Sequence, residues 1–403
     1  MQQMLAGLRI LEVGHFVAAP FATRILGDLG ADVIKIEALD GDPAREWGEK
    51  VDGRSLWWSM HGRNKRSVTL NLKHPSARGI LLGLASKSDA LIENFRPGQL
   101  AKLGFSPETL RQSRPDLVIA HISGYGQTGP YRDRAAFGVI GEAIGGLRYL
   151  TDNSPGTSNL PPVRVGVSIG DSVAGLYAAL GVMGALWQRD RQGGDGVGRT
   201  LDVALTESIL SLMEGMLPEY GELGTIKQPT GGGIATAAPT NAYPTADGGW
   251  ILIAANSEPL FARLMNLIGC SQLIGAPGYR GNQERVSNVR QLDAIIGDWT
   301  RQYSVEQVEA LLAKADIPGT KVFTAAEIAA DPQYRDRAMV REVPDRHLGR
   351  AVLQAGVVPK VEGATDEVRW AGPALGEHTD AVLSELLGLG DGEIAKLRNE
   401  GVI

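Results

Sequence analysis

The chain has 403 residues, 43% of them hydrophobic and 21% charged, with a net charge of −6. That is the balance of a folded globular chain long enough for two domains, and its acidity gives no whole-chain case for binding nucleic acid or an anionic membrane. A single cysteine, Cys270, excludes an internal disulfide and a cysteine zinc site, and the six histidines form no close ligand pattern.

The N-terminus lacks a basic segment leading into an apolar run, so no signal peptide is expected and a cytoplasmic setting is the default. Leu8–Val13 reads as a buried strand. The turn Gly14–Pro20, a helix over Phe21–Leu29 closed by Gly30, and a strand Asp32–Glu37 follow. A strand–helix–strand unit this short predicts a parallel sheet. Dinucleotide folds open in the same way, but this turn has no G-x-G-x-x-G, which argues against a nicotinamide site. Residues 39–63 read as an irregular connection carrying Trp47, Trp57 and Trp58. The basic knot Arg63-Asn64-Lys65-Arg66 leads into a strand Ser67–Leu72, a helix Ser76–Ser86 and a strand Ala90–Glu93. Ser106 and Pro107 supply a cap and a first-turn proline for the next helix, and Leu117–Ser123 is a further strand. The turns Asn94–Gly98 and Gly124–Pro130 fall at strand ends, where open α/β sheets bind ligands.

Val173–Trp187 is a run without a charge, with Ala174, Ala178, Gly181 and Ala185 as a small-residue seam. A helix apolar all round is predicted to be buried, and this run is short for a bilayer span. Asp171 stands at its mouth, behind Gly170. A strand Thr200–Leu205 and a helix Glu207–Met216 come next. Residues 221–240 are rich in Gly, Thr, Pro and Ala and contain Gly231-Gly232-Gly233. Beyond them lie a strand Trp250–Ala254 and helices Pro259–Ile268, Val289–Thr300 and Ser304–Ala315, the last with Ser304 and Gln307 spaced as a capping box. Past Pro318 the chain returns to the first domain, with short strand signals over Ala351–Val358 and two terminal helices. The expected organisation is a large α/β domain over 1–205, a linker 206–224, a smaller domain 225–320 and a return to the large domain over 321–403.

Each chemically interesting feature has a bland reading beside the functional one. Asp171 is an N-cap on residue type and position, and capping leaves it an ionised carboxylate able to attack a carbonyl. Gly170 would let an electrophile approach the backbone closely. Gly231–Gly233 is a flexible linker or a lid whose N–H groups face a developing oxyanion. Lys35, Arg63, Lys65, Arg66, Lys73, Arg96, Lys102 and Arg134 are solvated surface cations taken singly, and a polyphosphate site taken together. Trp47, Trp57 and Trp58 are core or pocket wall. Ser172 and Cys270 have no histidine near them in sequence and no G-x-S-x-G, so both read as structural.

Leu5–Gly14, Pro20, Leu29–Glu37, Asn64–Ser67, Glu93–Gly98, Gly124–Pro130, Gly170-Asp171 and Leu375–Thr379 occur in the order found in the class III CoA-transferases (CaiB/BaiF-like). The resemblance runs from about residue 5 to the C-terminus. It implies a large Rossmann-like α/β domain with a parallel sheet plus a smaller α/β domain, in a ring-shaped subunit that interlocks with a second copy as a homodimer. Asp171 matches the family's catalytic aspartate. Val17, Ala18, Leu70, Leu72, Lys73, Asn94, Phe95 and Arg96 match its CoA contacts, with Lys102 and Arg134 as further phosphate-binding candidates. Gly231, Gly232 and Gly233 resemble its lid.

The implied chemistry moves CoA from an acyl-CoA donor to a carboxylic acid through an aspartyl anhydride and an aspartyl-CoA thioester, with CoA thioesters as substrates and no metal or permanently bound cofactor. The segment Pro162–Asp171 most resembles members that use succinyl-CoA and a small dicarboxylate, with Arg164 available to a distal carboxylate. Related racemases carry a histidine where this chain has Phe137, which cannot carry a proton. Formyl-transferring members usually have Tyr-Glu in place of Phe137-Gly138 and Val-Gln in place of Phe16-Val17, which argues against an oxalate enzyme. A 2-methylacyl-CoA racemase and a silent CoA-binding homologue are the alternatives.

Overall fold

The computed structural model describes residues 3–363 and 367–403, which divide into two compact units. The first comprises residues 1–147, 165–214 and 332–403; the second comprises 148–164 and 215–331.

The first unit is built on strands β1 (Arg9–Glu12) and β2 (Asp32–Glu37), joined by helix α1 (Ala18–Asp28). Helix α2 (Leu56–His61) precedes β3 (Lys65–Thr69), and α3 (Ala77–Ser86) precedes β4 (Ala90–Glu93). Helices α4 (Gln99–Lys102) and α5 (Pro107–Ser113) lead to β5 (Val118–Ser123). Then come α6 (Gly138–Ile144), α7 (Ile169–Asp190), β6 (Thr200–Ala204) and α8 (Leu205–Leu210). The six strands form one parallel sheet in the order β3-β2-β1-β4-β5-β6. Strand order reverses between β1 and β4, and ligands bind such sheets outside the carboxyl ends of the strands at that reversal.

Alternate strand residues feed two cores. Ile10, Val33, Ile92 and Val118 face α1 and α7, while Leu11, Ile34, Leu91 and Ile119 face α3 and α5. The small seam of α7 is buried as expected at Ala174, Ala178 and Ala185. Gly175 matters most: a β-carbon there would lie 2.7 Å from the Ala18 carbonyl, so α7 meets α1 backbone to backbone.

Three expectations need correction. Helix α7 spans 22 residues, starts at Ile169 and is long and apolar enough by those measures alone to cross a membrane. It is also buried on one face only. Leu176, Leu180 and Trp187 project from the other, Leu180 and Trp187 being 68% and 67% exposed. All-round apolarity therefore did not mean all-round burial in this unit. Residues 39–63 are not irregular: they hold a 3-10 turn at Pro43–Glu46, a two-stranded hairpin (Lys50–Val51 with Arg54–Ser55) and α2.

The longer stretch of the second unit follows Glu214 and opens with α9 (Met216–Leu223). It carries a three-stranded antiparallel sheet of β7 (Thr240–Pro244), β8 (Trp250–Ala254) and β9 (Gly319–Lys321), with β8 central. Helices α10 (Glu258–Leu267), α11 (Gly281–Ser287), α12 (Val289–Thr300) and α13 (Val305–Lys314) enclose a core around Tyr243, Ile251, Phe261, Leu292 and Leu312. The Ser304–Gln307 capping box at α13 is present. Boundaries differ from the expected ones for identifiable reasons. Residues 148–164 join this unit because the Gly231 N–H donates to the Asp152 carbonyl (3.0 Å). Residues 321–331 join it because Lys321 pairs in the sheet with Ile251 and its ammonium reaches Glu327 (3.0 Å). The proposed linker 206–224 is instead split between α8 in the first unit and α9 in the second.

The return segment gives a hairpin, β10 (Val340–Asp345) with β11 (Arg350–Ala355), and the terminal helices α14 (Thr379–Leu387) and α15 (Asp391–Asn399). Arg63 fixes it. Its fully buried guanidinium pairs with Asp28 (2.7 Å) and donates to the carbonyls of Ala355 and Gly356. A buried charge of this kind is tolerated because it is both paired and hydrogen-bonded.

Candidate active site

Two openings meet at the carboxyl ends of β1, β2, β3 and β4. The larger is a cleft of about 520 Å³ walled by Gly14, Leu39, Asp42, Leu70, Leu72 and Lys73, among others. The smaller, about 290 Å³, is lined by Phe16, Ala18, Arg96, Arg134, Phe137 and Asp171, among others. His15, Phe95 and Gln99 line both, so the two are adjacent.

Asp171 is not the N-cap of α7. Ser168 holds that position, without a side-chain cap bond, and Asp171 is the third residue of the helix. The first turn still favours a carboxylate, because the unpaired N–H groups and the helix dipole place partial positive charge there. Two glycines set its surroundings. A β-carbon on Gly138 would lie 2.0 Å from Asp171 Oδ2, so the carboxylate lies flush against the start of α6. A β-carbon on Gly170 would lie 2.4 Å from the Gly138 carbonyl oxygen. Gly170 is therefore required for backbone packing, not for access by an electrophile.

The loop after β1 is held across the strand-order reversal. Asn94 Oδ1 accepts the His15 N–H (2.9 Å) and its Nδ2 donates to the His15 carbonyl (2.9 Å). Glu93 accepts the Phe95 N–H (2.6 Å) and contacts buried His121 Nδ1. Phe16 takes a left-handed backbone (φ +63°), and its ring lies 5.1 Å from Trp47 and 6.2 Å from Phe137. Behind the loop, buried Lys35 reaches Glu12 (2.6 Å), Asp42 (2.7 Å) and the Gly14 carbonyl (2.9 Å). Lys65 reaches the same Glu12 (2.9 Å) and the Pro20 carbonyl (2.7 Å).

These contacts set the charge states. Burial raises the Glu12 and Asp42 carboxyls, but both lie below their ordinary values, because Lys35 and Lys65 with the Thr23 hydroxyl for Glu12, and Lys35 with the Ala44 and Phe16 N–H groups for Asp42, together outweigh it. The Lys35 ammonium is held up by Asp42, Glu12 and Glu37 against burial. Burial brings Lys65 down to about 8, with Glu12 opposing and Lys35 reinforcing. His61 falls to about 3 through burial and the nearby Arg24, Lys65 and Arg63.

Most residues singled out from the sequence converge here. Leu70, Leu72 and Lys73 line the cleft; Ala18, Asn94, Arg96 and Arg134 line the Asp171 pocket; Phe95 lines both. Arg134 also stacks on Tyr131, at 3.6 Å from the ring centroid. Val17 and Lys102 line neither opening: Val17 is buried at the N-cap of α1 and Lys102 is exposed at the end of α4. Lys35, Arg63 and Lys65 are neither solvated nor available to phosphate, because they neutralise buried carboxylates; Arg66 is held by Asp32 and Glu385. Trp58 is core, whereas Trp47 and Trp57 form an aromatic chain from Phe16 to His61. Cys270 packs against the core of the second unit. In that unit Gly231 is left-handed (φ +70°) with its N–H engaged by Asp152, and Thr230 Oγ1 donates to the Gly233 carbonyl (2.8 Å). A β-carbon on Gly232 would lie 2.9 Å from Asn241 Oδ1, so the glycine run packs closely rather than hanging free. Arg164 is exposed. His15 and Asp42 were not singled out from the sequence, and Phe16 and Gly138 only as positions where formyl-transferring members differ; a glycine directly after Phe137 was the one available signal.

A family model for CoA-transferase family III matches residues 5–379. The succinyl-CoA–D-citramalate CoA-transferase of Chloroflexus aurantiacus is 41% identical over 401 residues, covering 99% of this chain and 98% of the relative. Human succinyl-CoA:glutarate CoA-transferase is 31% identical over 403 residues, covering 99% of this chain and 90% of the relative. Among solved structures, a CaiB/BaiF family protein from Brucella suis superposes with a TM-score of 0.83 at 29% identity, covering 96% of this chain and 100% of that one. A match of this extent, on a parallel six-stranded sheet with an aspartate at the mouth of its core helix, shows that the chain belongs to CoA-transferase family III and is a CoA-transferase.

Proposed function

We propose that the protein transfers CoA from succinyl-CoA to a small dicarboxylate, with Asp171 as the covalent nucleophile. The observation that carries this reading is that the Asp171 pocket adjoins the longer cleft, with His15, Phe95 and Gln99 lining both. The cleft accommodates the nucleotide end of CoA beside Lys73, and the pantetheine arm runs past Phe95 to bring the thioester to Asp171. Arg96 and Arg134 supply positive charge at the pocket wall.

In the first step an Asp171 oxygen attacks the thioester carbonyl, the C–S bond breaks, and CoA thiolate leaves a mixed anhydride. The thiolate then attacks the aspartyl carbonyl and expels succinate, leaving aspartyl-CoA. The acceptor carboxylate attacks that thioester, forms a second anhydride and again frees thiolate. Thiolate attack on the acceptor carbonyl gives the new acyl-CoA and restores Asp171. The thioester bond is conserved throughout, so exclusion of water from the pocket protects the intermediates. Phe137 offers no acid or base for moving an α-proton, which favours acyl transfer over racemisation.

The donor and acceptor classes rest on the relatives: one acts on succinyl-CoA and D-citramalate, another on succinyl-CoA and glutarate. The reading includes a homodimer, because Leu176, Leu180 and Trp187 form an exposed apolar helical face that a second copy would cover. Incubation of succinyl-CoA with glutarate, citramalate, mesaconate and itaconate, read by separation of the CoA esters, tests the reaction. A new CoA ester with at least one acid supports it, and no transfer to any overturns it. Lys73→Ala is expected to raise the KM for acyl-CoA about tenfold with little change in kcat.

A further inference from the structure

We infer that Asp42 is a positioning residue that couples the long cleft to the Asp171 pocket by gripping the backbone of Phe16. The inference rests on the proposed function for its kinetic readout only.

Asp42 lines the long cleft and not the Asp171 pocket; Phe16 lines the pocket and not the cleft. One oxygen of Asp42 joins them. Oδ1 accepts the Phe16 N–H (3.0 Å) and the Ala44 N–H (2.9 Å), while Oδ2 pairs with Lys35 (2.7 Å). Lys35 donates in turn to the Gly14 carbonyl, so both ends of the Gly14–Phe16 turn hang on one buried ion pair. That pair is itself fixed by Glu12 (2.6 Å). The grip has a specific task. Phe16 is left-handed at φ +63°, a conformation an aromatic residue avoids because its β-carbon crowds the carbonyl. Released from Asp42, the residue relaxes toward negative φ, and its ring leaves the contacts with Trp47 and Phe137 that shape the pocket. The chain between positions 16 and 42 runs through α1 and β2, so the ion pair carries the position of one cleft wall to the other.

The test is a double-mutant cycle on Asp42 and Phe16, because glycine adopts the left-handed conformation without strain. Asp42→Ala is expected to lower kcat/KM about tenfold with Phe16 present, the size of an L-residue's preference against this region. In a Phe16→Gly background, itself impaired, the same substitution is expected to cost less than threefold. The cycle is repeated with Asp42→Asn, whose amide cannot satisfy both Lys35 and the Phe16 N–H, so an insoluble alanine variant leaves the test standing. Equal losses in the two backgrounds overturn the inference. A parallel cycle on the dissociation constant of coenzyme A, by calorimetry, needs no turnover. If the wild type transfers CoA to no acid, the proposed reaction fails while this cycle still reads the coupling.

Discussion

Gly138→Ala isolates the geometry of Asp171, the proposed nucleophile. The new β-carbon would stand 2.0 Å from Asp171 Oδ2 and 2.7 Å from its Cγ, against the 3.0 Å that real contacts do not go below. Relief requires about 1 Å of movement at the oxygen, from 2.0 to 3.0 Å. Backing α6 away is resisted, because its Gly141 and Gly145 already pack closely against Leu205 and Ile209 of α8. The carboxylate therefore rotates out of line, and a displacement of about 1 Å at a reacting group costs on the order of 100-fold in rate. Overpacking should also cost about 1–3 kcal/mol of stability. The long cleft contains neither residue, so acyl-CoA affinity should hold. Steady-state kinetics with a CoA ester and its acceptor should show kcat down about 100-fold with KM within threefold. Gly79→Ala is the control: that exposed helical glycine has open space at its β-carbon, and alanine there should be neutral or stabilising by up to about 1 kcal/mol. A Gly138→Ala enzyme within threefold of wild type would refute the placement of Asp171.

Two further outcomes follow from other parts of the chain. His61 is held near a pKa of about 3, against 6.5 when unfolded. The unfolded chain thus binds the extra proton between those values, so this stabilising contribution is present above pH 6.5 and is lost on acidification. Chemical denaturation at pH 6.5 and at pH 5 should show a loss of about 1.5 kcal/mol that His61→Phe largely removes, and an identical slope in the variant would count against it. Leu180→Asp places a charge on the exposed face of α7, through which we propose that two copies pair; light scattering should find a dimer for the wild type and a monomer for the variant, and equal masses for the two would reject that face as the interface.

The sheet and most helices were legible in the sequence because local rules set them. Short apolar runs bounded by glycine and asparagine turns gave the strands, and Ser106-Pro107 and Ser304–Gln307 marked helix starts that the structure retains. Asp171 stood out as the only acid at the mouth of an uncharged run, although it is the third residue of the helix and not its cap. What escaped depends on contacts between distant residues. Lys35 and Lys65 look like surface cations until folding brings Glu12 between them. The left-handed Phe16 has no sequence signature, since nothing in an aromatic residue favours that region. Gly138 becomes informative only when α6 and α7 meet, 33 positions apart in the chain (171 minus 138). The apolar face of α7 shows the converse limit: composition reported its hydrophobicity correctly but not which surface would cover it.

Covalent capture decides whether Asp171 carries CoA during turnover. After brief incubation with succinyl-CoA and proteolysis, mass spectrometry should find CoA attached through a thioester to the peptide containing Asp171. The adduct should be absent from an Asp171→Ala protein that has lost transfer activity. An Asp171→Ala enzyme that still transfers CoA, or wild-type turnover with the Asp171 peptide never modified, would contradict the account.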